Sequence, residues 1–141
     1  FVFVSVPQLC AVWCAYTHGL LHWLDVRVWC AIHELVARRC QCRPGAKSCY
    51  THAELVPLLG HHRGIVAAVQ RLTTLGFVTW QSNAIVFAVP ERAYTLCPEL
   101  DAMLARMPRR CCDLPVPRRV LRFLAGGCRR SLFATLLGHS K

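Results

Sequence analysis

Acid is scarce in this sequence: seven Asp and Glu stand among 141 residues, against seventeen Lys and Arg. None of those acids falls at a spacing that would pair carboxylates for general acid–base work. There is no Gly-x-Ser-x-Gly elbow and no glycine loop of the kind that cradles phosphate. The expectation is therefore a protein that is not an enzyme, with no cofactor and no evident small-molecule substrate. A Gly-X-Y period, a Gln/Asn tract and an acidic tail are also missing, which removes fibrous and low-complexity readings. Formal charge is absent from Phe1 to Leu24, and such a run raises the question of a membrane segment. Pro7, Gln8 and the polar Tyr16-Thr17-His18-Gly19 interrupt it, and neither a basic leader nor a small-residue cleavage site accompanies it. A strand over Phe1–Val6 and a short helix covering the core fit the run better, in a cytoplasmic protein.

What is present is a core-forming composition with a strong basic bias. Hydrophobic residues make up 55% of the chain, enough for one domain, or one small domain with appendages. The formal net charge is +10, and fifteen of the seventeen basic residues are Arg. A surplus of that size favours polyanionic partners. Arginine forks phosphate and the guanine edge bidentately, which tilts the balance toward nucleic acid and away from a membrane surface. A GC-rich coding bias, which raises Arg, Cys, Trp and Ala together, also fits part of the excess. The ten cysteines read as reduced, buried small hydrophobes and not as a disulfide framework, and adjacent Cys111 and Cys112 are awkward for ordinary bridging.

Periodicity divides the chain. Leu24, Val28, Ile32 and Leu35 follow helical spacing, with Trp29 and Val36 widening the stripe and Arg27, Glu34, Arg38 and Arg39 at polar positions. A loop over Cys40–Cys49 turns at Pro44-Gly45. Thr51-His52-Ala53-Glu54 is a capping box that opens a second helix, which Pro57 should kink and Gly60 stops. A third helix is expected over His62–Thr74, with Ile65, Val66, Val69 and Leu72 inward and Gly76 as its C-cap. Two β-rich runs follow, Phe77–Trp80 and Ile85–Val89, around a loop at Gln81–Ala84. Farther on, Pro98–Met107, Arg118–Ala125 and Ser131–Leu137 read as short helices, and Pro108–Pro117 reads as a linker. Leu58-Leu59-Gly60-His61 recurs as Leu136-Leu137-Gly138-His139. Phe1 in place of a starting Met, and an end four residues after Leu137, fit a fragment.

From Leu24 to Val89 the pattern resembles bacterial winged helix-turn-helix domains. The residues that carry the likeness are Val28–Arg39, Ser48-Cys49-Tyr50-Thr51, Glu54-Leu55, Leu58-Leu59-Gly60 and, most specifically, Arg71-Leu72-Thr73-Thr74-Leu75-Gly76-Phe77-Val78. The last stretch is similar to the motif shared by multiple-antibiotic-resistance-type regulators and by plasmid or phage replication proteins. The N-terminal strand and the Arg39–Tyr50 loop look more like the replication branch. The resemblance implies a mainly α fold with a small β-hairpin: residues 1–23 packing on the core, a winged helix-turn-helix over 24–89, and a basic helical extension over 90–141. It also implies a plasmid or mobile-element protein that binds double-stranded DNA in replication initiation or transcription regulation. Its recognition helix would present His62, Arg63, Ala67, Gln70 and Arg71 to the major groove. A homodimer reading two half-sites is compatible with this.

The implied face is thin in donors and acceptors, because Gly64, Ala67 and Ala68 lie along it and the hairpin tip has no Arg or Lys. A degenerate winged helix that serves as a protein-interaction module is the alternative, and a small basic membrane-associated protein comes third. Arg118 and Arg119, with Arg109-Arg110, Arg122 and Arg129-Arg130, could track a DNA backbone, or form a solvated basic face. Cys40, Cys42, Cys49 and His52 are potential zinc ligands within one loop, yet lack paired knuckles, so ordinary loop cysteines are the stronger reading. Cys10, Cys14, His18 and His22 fall in one helical row and read mainly as the edge of an apolar face.

Overall fold

The computed structural model describes residues 2–42, 49–60, 63–81, 84–106 and 113–127, apart from the side chains at 40–42, 96, 103, 104 and 113. The uncharged opening run becomes strand β1 (Val2–Ser5) and helix α1 (Val6–Thr17). Alternation sets Val2 and Val4 inward and Phe3 outward, as a pleated strand demands. Ser5 accepts from the backbone N–H of Gln8 at the head of α1, where Pro7 costs no internal hydrogen bond. Val6, Leu9, Cys10, Ala11, Val12, Cys14 and Ala15 are all buried, so the absence of charge reflects a helix enclosed nearly all round. Among the described residues no helix is long and apolar enough to cross a membrane.

Helix α2 (Trp23–Cys42) is the centre of the molecule, and helices α3 (His52–Leu59), α4 (Ile65–Leu75) and α7 (Arg118–Ala125) pack on it. Its expected stripe is buried at Val28, Trp29, Ile32 and Leu35, but burial extends right round to Asp25, His33 and Glu34. The capping box forms at α3: the Glu54 carboxylate accepts from the Thr51 backbone N–H at 3.0 Å and the Thr51 hydroxyl at 3.1 Å. Gly76 closes α4, its N–H reaching back to Thr73 O at 3.1 Å.

Strands β2 (Val78–Gln81) and β3 (Ala84–Phe87) pair antiparallel with Gln81 opposite Ala84, a tighter hairpin than the expected loop. Val78, Ile85 and Phe87 share one face of the hairpin, with Val78 and Ile85 buried and Phe87 turned to α2. There Phe87 stacks on His33 with ring centroids 3.6 Å apart, and Trp29 meets both rings edge-on. Trp80, farther out on that face, packs near Tyr50 at 5.3 Å.

Two features of the C-terminal part depart from expectation. A short helix α5 (Glu91–Leu96) precedes α6 (Glu99–Ala105), and both pack on α1. Within the supposed linker, Asp113–Val116 forms strand β4, antiparallel to β1 with Val2 opposite Val116 and Val4 opposite Leu114. The chain is thus mainly helical with two small two-stranded sheets, one of which joins its opening strand to the lead-in of α7. The expected helix over Ser131–Leu137 lies outside the described residues.

Candidate nucleic-acid interface

The turn from α3 to α4 is made by glycine. Gly60 caps α3 at φ 81°, and Gly64 precedes α4 at φ 80°, both in the left-handed region that disfavours a Cβ. Gly64 therefore starts α4 at Ile65, three residues after the expected His62. His62 itself lies outside the described residues. The inward face is also corrected. Ile65, Ala68 and Leu72 are buried, while Val66, expected inside, is 56% exposed. Ala68, counted on the outward surface from the sequence, is enclosed.

The outward surface of α4 and its approach presents Arg63, Val66, Ala67, Gln70, Thr73 and Thr74. Arg63, Ala67 and Gln70 are thus exposed where the resemblance implied. Arg71 has another engagement. Its Nε donates to Asp25 Oδ1 and Oδ2 at 3.0 and 2.9 Å, and its Nη2 donates to Oδ1 at 2.8 Å. Asp25 has no solvent exposure, and the backbone N–H of His22 adds a bond to Oδ2 at 2.8 Å. A buried carboxylate needs such donors, and these bonds raise the proton affinity of the guanidinium. Arg71 therefore pins α4 to the head of α2, and its fork is already filled.

Arg118 and Arg119 divide in the same way. Arg119 is exposed on α7, whereas Arg118 donates to buried Glu34. Glu34, placed at a polar position from periodicity, is the largest surprise of the charge map: Arg38, Arg118 and Arg122 all reach it. Two signals were available, the four-residue spacing of Glu34 to Arg38 and of Arg118 to Arg122. Nothing local indicated that the two pairs would meet. Arg109-Arg110 and Arg129-Arg130 lie outside the described residues.

Of the four candidate metal ligands in the loop, the structure describes the side chains of Cys49 and His52. Cys49 accepts from Arg39 Nη1 at 2.9 Å, and His52 is exposed in the first turn of α3. Cys40 and Cys42 close α2, with side chains outside the described set. Arg39 also binds Glu54 at 2.5 Å and holds that carboxyl below the usual range. The row of Cys10, Cys14, His18 and His22 breaks where α1 ends: His18 pairs with Glu99, and His22 precedes α2. Among the described residues no three His, Cys, Asp or Glu side chains are placed to hold a metal ion. Comparison with protein-family models, curated proteins and solved structures finds no match to this chain.

Proposed function

We propose that residues 24–89 act as a winged helix-turn-helix and that the chain binds double-stranded DNA through α4. The observation that carries this reading is the outward ridge of Arg63, Ala67 and Gln70, exposed on a helix that follows a glycine turn and leads into a hairpin. A B-DNA major groove accepts a helix of this kind. In that pose Gln70 pairs with adenine, Arg63 reaches guanine or phosphate, and Ala67 and Val66 meet thymine methyl groups. Arg119 contributes to backbone contact, while Arg71 serves by fixing the angle at which α4 stands. The role is groove docking without chemistry, in the cytoplasm, in replication initiation or transcription regulation of a mobile element. One observation favours a second reading: the exposed Val66 beside Ala67 suits packing against a partner protein.

Fluorescence anisotropy with a labelled duplex over a salt series separates the two readings. The wild type is expected to bind with an affinity that falls steeply as salt rises. Arg63→Ala/Gln70→Ala should bind at least about tenfold more weakly, each lost base contact contributing about 1–3 kcal/mol. Failure of the wild type to bind, or equal binding by the folded variant, overturns the DNA reading in favour of the protein-contact one.

A further inference from the structure

A docked helix chooses among base pairs by the donors, acceptors and apolar groups along its outer ridge. In α4 that ridge is Val66, Ala67, Gln70, Thr73 and Thr74, preceded by Arg63, and all of them are exposed. Guanine is read best by arginine or lysine, and cytosine by a carboxylate. Helix α4 has no lysine and no acid, and its only arginine, Arg71, holds buried Asp25 with its Nε and Nη2. Thr73 donates its hydroxyl to Val69 O at 2.8 Å, so that donor is spent within the helix. The Thr74 hydroxyl suits either kind of pair. Gln70 brings the ridge its amide, a donor and an acceptor together, which matches N6 and N7 of adenine.

The remainder of the ridge is apolar. Val66 is 56% exposed, although valine is among the residues most often buried, and Ala67 is exposed beside it. The major groove offers such side chains one apolar group, the C5 methyl of thymine. Val66 and Gln70 lie one helical turn apart, about 6 Å along the axis, while stacked base pairs repeat about every 3.4 Å. Gln70 and the Val66–Ala67 pair therefore address different steps of one short run, adenine by hydrogen bonds and thymine by methyl contact. Arg63 stands ahead of Gly64, outside the helix, and serves the phosphates flanking that run.

We infer that α4 selects A·T pairs and does so through the C5 methyl group of thymine, which Val66 and Ala67 cover while Gln70 pairs with a neighbouring adenine. This rests on the docking of α4 put forward above and names the DNA that such docking chooses. Its specificity is set by apolar contact as much as by hydrogen bonding.

The test is fluorescence anisotropy of the full chain with three pools of duplex. One holds random sequences of A·T pairs, the second holds the same sequences with deoxyuridine in place of thymine, and the third holds random sequences of G·C pairs. Deoxyuridine keeps every hydrogen-bonding group of thymine and lacks only the methyl. The wild type should prefer A·T to G·C, and should lose about fourfold for each methyl contact when deoxyuridine replaces thymine. Val66→Ser should bring the thymine and deoxyuridine affinities together, and Ala67→Ser is the second variant if the first does not fold. Gln70→Ala should lose at least about fivefold on both of those pools and keep their ratio, because adenine and not the methyl is its target. Equal binding of thymine and deoxyuridine pools by the wild type, tighter binding of the G·C pool, or a ratio unchanged in both folded serine variants overturns the inference while DNA binding stands. No binding to any pool overturns the docking of α4 as well, so the two failures are distinguishable.

Discussion

Asp25 takes a full negative charge to a position without solvent exposure, where only its donors make it tolerable. Removing Arg71 leaves that carboxylate with little beyond the His22 N–H. Arg71→Ala should therefore cost about 2–4 kcal/mol in denaturant unfolding, while exposed Arg63→Ala should stay within about 0.5 kcal/mol. A DNA-binding loss in Arg71→Ala would then report unfolding before it reported lost contact. His33 offers a second residue-scale test. Its ring stacks on Phe87 and meets Trp29 edge-on, its Nε2 has no hydrogen-bond partner, and burial pushes its imidazole down to about 3. The folded state thus refuses a proton that the unfolded chain accepts near 6.5. This contribution is fully present above that pH and is lost as pH falls from 6.5 toward 3, at up to about 1.4 kcal/mol per unit. His33→Phe should flatten a plot of Tm against pH across that window without lowering stability at pH 7. An unaltered slope would place the acid sensitivity elsewhere.

Among the elements, the capped helix and the glycine stop of α4 were legible because their signals are local. Thr51 and Glu54 sit one turn apart, and Gly76 follows its helix directly. The start of α4 was not legible. His62 and Arg63 are compatible with helix, and only the backbone conformation at Gly64 shows that the helix begins after it. That conformation makes a prediction: Gly64→Ala combines a φ of 80° with a Cβ 3.0 Å from Leu24 Cδ2. It should lose about 1–2 kcal/mol by denaturant melting, whereas an unchanged midpoint would mean that the turn relaxes freely. Strand β4 was hidden for a different reason. Pro115 and Pro117 read as breakers, and the partner that makes Asp113–Val116 a strand lies at Val2–Ser5, at the other end of the sequence. Long-range pairing of this kind leaves no periodic trace in so short a segment. The hairpin at β2 and β3 was visible from its β-rich runs, but its tight register was not.

At the scale of the whole molecule, charge placement divides labour among the arginines. Arg27, through bonds of 2.8 Å to Leu59 O and Ala125 O, ties the ends of α3 and α7 to α2. Arg71, Arg118 and Arg122 meet carboxylates that have no exposure, so part of the basic surplus has a structural role. Composition revealed the surplus but not this division, since whether an arginine meets a buried acid depends on which helices pack. Arg63 and Arg119, by contrast, face solvent, and the proposed docking surface depends on them and on Gln70. The most direct test of that surface is amide hydrogen exchange with and without a saturating DNA duplex. The first turn of α4, whose leading N–H groups have no partner inside the helix, should exchange more slowly when DNA is present. The amides of α1, α5 and α6 should be unaffected. Protection confined to α1, α5 or α6, or no protection anywhere under conditions of measured binding, would contradict α4 as the docked helix.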